Sequence, residues 1–159
     1  MSETGGTKLI TSNKKARRDY FIVETLEAGV VLTGTEVKSL RDGKASLAEA
    51  YVRVEEGEAF LVGAHIPEYS HGNRENHEPT RRRKLLLHRK EIDRLLSKVQ
   101  EKGLTVIPLR LYWRRGRAKL EIALGRGKKQ YDQRQDVAKR EAQREIDRTL
   151  ARHRKGNER

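Results

Sequence analysis

Hydrophobic residues in this chain come in short runs broken by glycine, and their spacing separates strands from helices. From Asp19 to Leu32, YFIVETL and VVL flank Glu27-Ala28-Gly29, apolar and β-branched runs around a glycine turn that predict two antiparallel strands. Tyr51 to Val54 and Ala59 to Val62, around Glu56-Gly57, predict a second hairpin of short strands. Thr105 to Trp113 and Ala118 to Leu124 predict a last hairpin around Arg114-Arg115-Gly116-Arg117, with Leu120, Ile122 and Leu124 facing in and Lys119 and Glu121 facing out. Pro108 has no amide to donate to a ladder, so it predicts an edge or a bulge in its strand. Ile92, Leu95, Leu96 and Val99 follow the i, i+3, i+4, i+7 pattern of an amphipathic helix, with Gly103 as its stop. Thr33, three residues before Glu36, has capping-box spacing, and Val37 and Leu40 ahead of Gly43 predict a short helix.

Six or seven short strands joined by hairpins, with one clear helix and one small one, predict a mainly β fold: a closed antiparallel barrel of the oligonucleotide-binding type with peripheral helices. The 159 residues leave room for one such domain. Residues 1–12, rich in Ser, Thr and Gly, are expected to be a flexible leader, 13–124 the barrel, and 125–159 a basic tail. No internal repeat or low-complexity tract interrupts the barrel.

Charge changes the picture most in the tail. The chain carries a net +13; residues 125–159 hold 12 Lys and Arg against 6 Asp and Glu, while residues 1–124 hold 24 against 17. Positive charge is about three times denser in the tail. Its apolar content, Val137, Ile146, Leu150 and Tyr131 with a few alanines, is too thin to offset the entropy of ordering alone, so it is expected to be disordered when free. It is also free of proline and rich in helix formers, and Ala138, Ala142, Ile146 and Leu150 recur on one helical face. A helix that forms against a polyanion satisfies both facts; a solvated tail that only maintains solubility is the plainer alternative.

The body has its own basic clusters. Lys14, Lys15, Arg17 and Arg18 follow Asn13 directly before the first apolar run, and Arg81, Arg82, Arg83 and Lys84 abut the strand Leu85-Leu86-Leu87. Cations rigidly attached to a core can grip phosphates and set register. Tyr112 and Trp113, beside the arginines of the last turn, either stack on a base or fill the core, with the core favoured. The aperiodic segment 66–80 is a long loop suited to contact with a structured partner. His71 and His77 within it lack a third and fourth ligand at useful spacing, so no metal is expected.

Catalytic signatures do not appear. GRGKK at 125–129 lacks Walker spacing and reads as a hinge, and there is no Gly-x-Ser-x-Gly or His-Glu-x-x-His. With no cysteine, thiol chemistry is excluded. No apolar run is long enough to span a membrane and the N-terminus carries no signal-peptide run, so a cytoplasmic protein is expected.

NKKARRDYFI, LTGTEVKSLRDGKASL, GNRENHEPTRRRKLLLHRKEI and GKKQYDQRQD, in that order, resemble the SsrA-binding (small protein B) family of bacterial trans-translation over about residues 13–150. The resemblance implies an oligonucleotide-binding barrel without catalysis or cofactor. It implies two partners, the tRNA-like domain of transfer-messenger RNA and the ribosome at its decoding centre and mRNA channel; a monomer is expected. The family's RNA-contacting positions resemble Asn13, Glu27 and Leu86, and its tail motif resembles Gly127, Lys128, Lys129, Tyr131, Asp132, Gln133 and Arg134, with Gln133 in place of a common Lys. A ribosomal or rRNA-maturation protein with the same barrel and tail is the alternative.

Overall fold

A computed structural model describes residues 6–70 and 76–157, without the side chains of 129–136 and 153–157. Seven strands, β1 (Thr7–Ser12), β2 (Tyr20–Val30), β3 (Tyr51–Glu55), β4 (Glu58–Val62), β5 (Arg83–Leu86), β6 (Thr105–Arg114) and β7 (Arg117–Gly127), form one sheet in the order β1-β6-β7-β2-β5-β4-β3. Among the described residues, four helices accompany them: α1 (Lys14–Asp19), α2 (Gly34–Arg41), α3 (Arg89–Lys102) and α4 (Lys128–Asn157).

Two of the three hairpins read from the sequence are present. In β3–β4 and β6–β7 the closing pairs are Glu55↔Glu58 and Arg114↔Arg117, so each turn has two residues. Both central residues are left-handed in each, Glu56 and Gly57 at φ 50° and 77°, Arg115 and Gly116 at 52° and 75°, the geometry whose twist matches paired strands. Helix α3 ends on Gly103 at φ 63°, and α2 starts with the reciprocal Thr33–Glu36 capping box.

Pro108 lies at a bulge, between β1 and β7 and therefore away from the sheet edge. The β6–β7 register shifts between Pro108 and Arg110, leaving Leu109 as the extra residue. Val106 and Leu111 thereby both reach the main core, with Leu120, Ile122 and Leu124 of β7 opposite. Ile107, Leu109 and Ala123 form a small second cluster on the other face, closed by Ala16 of α1. Arg110, Tyr112 and Arg114 then project from that other face, beyond the cover of α1.

Two expectations are corrected. First, the sheet does not close into a barrel: the ladder begins at β1 and stops at β3. Where β3 approaches β6, Val52, Val54, Leu95 and Val106 line an apolar groove of about 340 Å³, and the two strands are not neighbours in the sheet. Second, residues 20–30 are one strand and not a hairpin. Gly29 lies inside β2 opposite Leu86, and a Cβ there would stand 3.2 Å from the Leu86 Cβ, so the glycine serves close strand approach rather than a turn. Within the expected leader, Thr7 to Ser12 form β1 and pair with β6.

The chain divides into two compact units between Arg126 and Gly127. Residues 125–127 of the expected hinge belong to β7, and a Cβ on Gly125 would come within 2.5 Å of Ile107 Cδ1, so that glycine too permits close packing. In the second unit, α4 leaves Val137, Ile146 and Leu150 about half exposed. Local bonds such as Gln143 Nε2 to Asp147 Oδ1 at 3.1 Å support it.

Candidate nucleic-acid interface

The first basic cluster is helical. Asn13 caps α1: its Oδ1 accepts from the Ala16 amide at 3.1 Å, and its Nδ2 donates to the carbonyl of Pro108 at 3.0 Å. Its backbone amide donates to Leu109 at 2.7 Å. Asn13 is only 5 % exposed with both ends of its amide used, so it joins α1 to the bulged strand instead of presenting a polar edge. Ala16 turns inward, and Lys14, Lys15, Arg17 and Arg18 turn outward. Arg17 makes a 3.5 Å contact with Glu121 and Arg18 one of 3.5 Å with Asp19, both open to solvent and worth little as pairs. These cations remain available to an anion.

Glu27 sits on the same face. Its Oε2 accepts from the Tyr112 hydroxyl at 2.5 Å and from Arg114 Nη1 at 3.0 Å. Beside it, Arg110 Nε donates to Glu121 Oε1 at 3.0 Å, and the Arg110 guanidinium lies 4.9 Å from the centre of the Tyr112 ring. Thr7 and Thr25 complete an open polar pocket of about 360 Å³. Burial works to raise the Glu27 carboxyl, but hydrogen bonds from Tyr112 and Arg114 and the charges of Arg114 and Lys119 outweigh it and hold the group below its ordinary value. Burial, then the bond to Glu27, pushes the Tyr112 phenol well above its own. A carboxylate and a phenolic donor therefore face each other at neutral pH.

The second basic cluster is divided: Arg83 is buried, Arg81 partly so, and Arg82 and Lys84 are exposed. Along β5 Arg83 and Leu85 point in while Lys84 and Leu86 point out. Arg83 and Glu36 are fully buried, joined at 2.5 Å from Nε to Oε2, and Arg83 also donates to the carbonyls of Ala64 at 2.8 Å and Pro79 at 3.0 Å. Arg81 donates to Glu36 Oε1 at 2.6 Å. Arg82 bonds Glu55 at 3.0 Å and lies 4.0 Å from the centre of the Phe60 ring; Lys84 reaches Glu58 at 3.3 Å. The sequence shows four adjacent cations, but alternation and Glu36 turn Arg81 and Arg83 into internal struts. Leu86, 55 % exposed, stands over Gly29 on the face that carries Glu27, since Glu27 and Gly29 are two residues apart on one strand.

Loop 66–80 is pinned at its neck. His77 contacts the Ile66 carbonyl through Nε2 at 2.7 Å and Thr35 Oγ1 through Nδ1 at 2.9 Å, so both ring nitrogens are engaged. His71 lies outside the described residues. Of the expected tail motif, Gly127 ends β7 and Lys128 begins α4; the side chains of Lys129, Tyr131, Asp132, Gln133 and Arg134 lie outside the described set.

Residue spacing alone did not assign Arg110, Glu121, Thr7 or Thr25 to a site. The favoured core placement of Tyr112 agrees with its 4 % exposure, yet its hydroxyl enters the pocket.

A family model described as SmpB protein matches residues 10–152. The SsrA-binding protein of Acidothermus cellulolyticus is 59 % identical over 157 residues, covering 99 % of both chains. That of Mycobacterium bovis is 54 % identical over 155 residues, 98 % of this chain and 97 % of the relative. A solved structure described as "tmRNA-SmpB: a journey to the center of the bacterial ribosome" superposes with a TM-score of 0.63 at 50 % identity, over 74 % of this chain and 83 % of that one. Similar in sequence over nearly its whole length and in the fold of its sheet, the chain belongs to the SmpB family of SsrA-binding proteins.

Proposed function

We propose that this protein binds transfer-messenger RNA and delivers it to stalled ribosomes for trans-translation, as a cytoplasmic, non-catalytic, monomeric adaptor without a cofactor. The observation that carries the reading is the uncovered sheet face where the exposed cations of α1 flank the polar pocket at Glu27, in a chain whose relatives are SsrA-binding proteins. Lys14, Lys15, Arg17 and Arg18 supply long-range attraction and phosphate contacts, which set affinity and its salt dependence. Glu27 repels phosphate, so it serves at short range, accepting from the donor groups of a nucleotide and adding selectivity. Leu86 offers an apolar contact on the same face.

The tail performs the second task. Thirty residues of helix reach about 45 Å at 1.5 Å per residue, enough to lie along an mRNA channel. Its half-exposed apolar residues and lack of core make helix formation dependent on a partner, so ordering on the ribosome couples the tail to an empty channel. In this reading Lys128, Lys129, Tyr131, Asp132, Gln133 and Arg134 meet the decoding centre.

A stop codon in place of Tyr131 separates the two tasks, because β7 ends at Gly127, ahead of the truncation. Affinity for transfer-messenger RNA should stay within a few fold, less than about 1 kcal/mol, while peptide tagging in a reconstituted translation system is lost. Normal tagging by the truncated chain would sink the tail mechanism. A ribosomal or rRNA-maturation protein would instead remain on all ribosomes through a high-salt wash.

A further inference from the structure

Helix α4 carries two rows of side chains on opposite sides. Arg140, Arg144, Arg148 and Arg152 recur every fourth residue, and so do Ala138, Ala142, Ile146 and Leu150. Ala142, Ile146 and Leu150 each follow an arginine by two positions, about 200° round the helix, so the rows stay nearly opposite as they wind together. Residues 137–152 are exposed throughout, and among the described residues the four arginines make no ion pair. The sides between the rows differ again: Glu141 and Glu145 lie along one, and Lys139, Gln143 and Asp147 along the other, with Gln143 bonded to Asp147 at 3.1 Å. Carboxylates on both flanks repel phosphate, so a polyanion meets this helix along the arginine side and cannot wrap it.

We infer that α4 is two-sided in the mRNA channel: its arginine row follows a ribosomal RNA backbone, and the row Ala138, Ala142, Ile146 and Leu150 packs on an apolar strip of a ribosomal protein. The inference rests on the tail reading above and adds to it which side meets which kind of partner. Four residues rise about 6 Å, so the arginines form an evenly stepped ladder of charge, the kind that an evenly charged phosphate backbone matches. The opposite row has no charge and no side-chain donor or acceptor, and so adds nothing to phosphate binding. Ile146 and Leu150, 53 % and 51 % exposed, gain only by giving up water to another apolar surface. Folded RNA turns its phosphates and polar ribose edges outward, so the apolar partner is protein. The alanines let that wall approach closely along the first half of the row, and Ile146 and Leu150, one turn apart on the same side, are the knobs that anchor the second half.

Site-directed photo-crosslinking tests this on the full chain, bound with transfer-messenger RNA to ribosomes whose mRNA channel is empty. A short-range diazirine side chain replaces Ile146, Leu150, Arg144 or Arg148, one at a time. Positions 146 and 150 should label ribosomal protein, and positions 144 and 148 should label ribosomal RNA. Two paired variants supply the functional readout. Ile146→Ala with Leu150→Ala retains helix propensity and should lower tagging at least about fivefold through the lost apolar contact, with the salt dependence of ribosome binding unchanged. Arg144→Gln with Arg148→Gln should instead flatten that salt dependence, by a slope of roughly 0.7 for each lost phosphate. Label on ribosomal RNA from positions 146 and 150, or one partner shared by all four positions, overturns the inference, as does normal tagging by the alanine pair. Normal tagging by the chain truncated at Tyr131 is a separate result that removes the tail reading itself; if truncation abolishes tagging while the labels fail to separate, only the two-sidedness is lost.

Discussion

Replacing Glu36 by Gln should destabilise the body more than any single change on its charged surface. The side chain accepts at both oxygens: Oε1 from the Thr33 amide at 2.8 Å and Arg81 at 2.6 Å, Oε2 from Arg83 at 2.5 Å. Glutamine preserves the volume but removes the charge and points an NH₂ at one guanidinium, leaving Arg83 with its 0 % exposure and no counter-ion. Losing one partner of a buried pair costs about 3–5 kcal/mol. We take about 3 kcal/mol, since Arg83 keeps its bonds to Ala64 and Pro79. At roughly 3 °C per kcal/mol for a body of this size, the melting temperature should fall by about 10 °C. Urea unfolding at pH 7 measures the difference, with Arg83→Met and the double variant completing a cycle. The two changes should be non-additive by at least about 1 kcal/mol, because either one already breaks the pair. A cost for Glu36→Gln below about 1 kcal/mol, or strict additivity, would refute the reasoning.

Asn13→Ala should cost about 1–3 kcal/mol through the lost cap and the stranded Pro108 carbonyl; a loss of RNA affinity without a loss of stability, by paired urea and filter-binding measurements, would show direct contact instead. Leu86→Ala, at a half-exposed position, should change stability by less than about 1 kcal/mol while weakening RNA binding several fold. Glu27 and Glu36 are both held below the ordinary carboxylate value of 4.5, so the stability they confer is complete above that pH and is lost as pH falls through their folded values. Acid unfolding monitored by circular dichroism should therefore steepen below pH 4.5 and flatten in Glu36→Gln. Tyr112 works at the other end: its phenol is raised, so its contribution is full below its ordinary value of 10 and is lost as pH rises through the folded one, an alkaline transition that Tyr112→Phe should remove.

Strands and helices whose evidence is local were legible in the sequence. The β6–β7 and β3–β4 hairpins and α3 appear where period and turn residues put them, because each is defined by neighbours in the chain. Features set by distant partners were not. Gly29 carries the same local signal whether it turns a hairpin or clears space for Leu86, and only the β2–β5 pairing decides. The arginines at 81 and 83 look like surface charge until Glu36, 45 and 47 residues away, is brought against them. The six-residue α1 is too short for periodicity to detect, although Asn13 before it was a readable cap signal. The pocket at Glu27 gathers β1, β2, β6 and β7, so it had no signature in any one segment.

The extra residue in β6 sets a spatial reading frame. Before Leu109 the strand keeps one parity and after it the other, and only that change of phase sends Arg110, Tyr112 and Arg114 outward while Leu111 and Trp113 go in. Inserting one further residue between Val106 and Leu111 would act as a frameshift in three dimensions, turning two arginines and a tyrosine toward the core and the leucine and tryptophan toward solvent, whereas deleting Leu109 would only remove the bulge and keep the pairing on either side. A deletion in the turn at Arg115-Gly116 disturbs only the tip of the hairpin, so the tolerance of this chain to changes in length should differ sharply between two places a few residues apart.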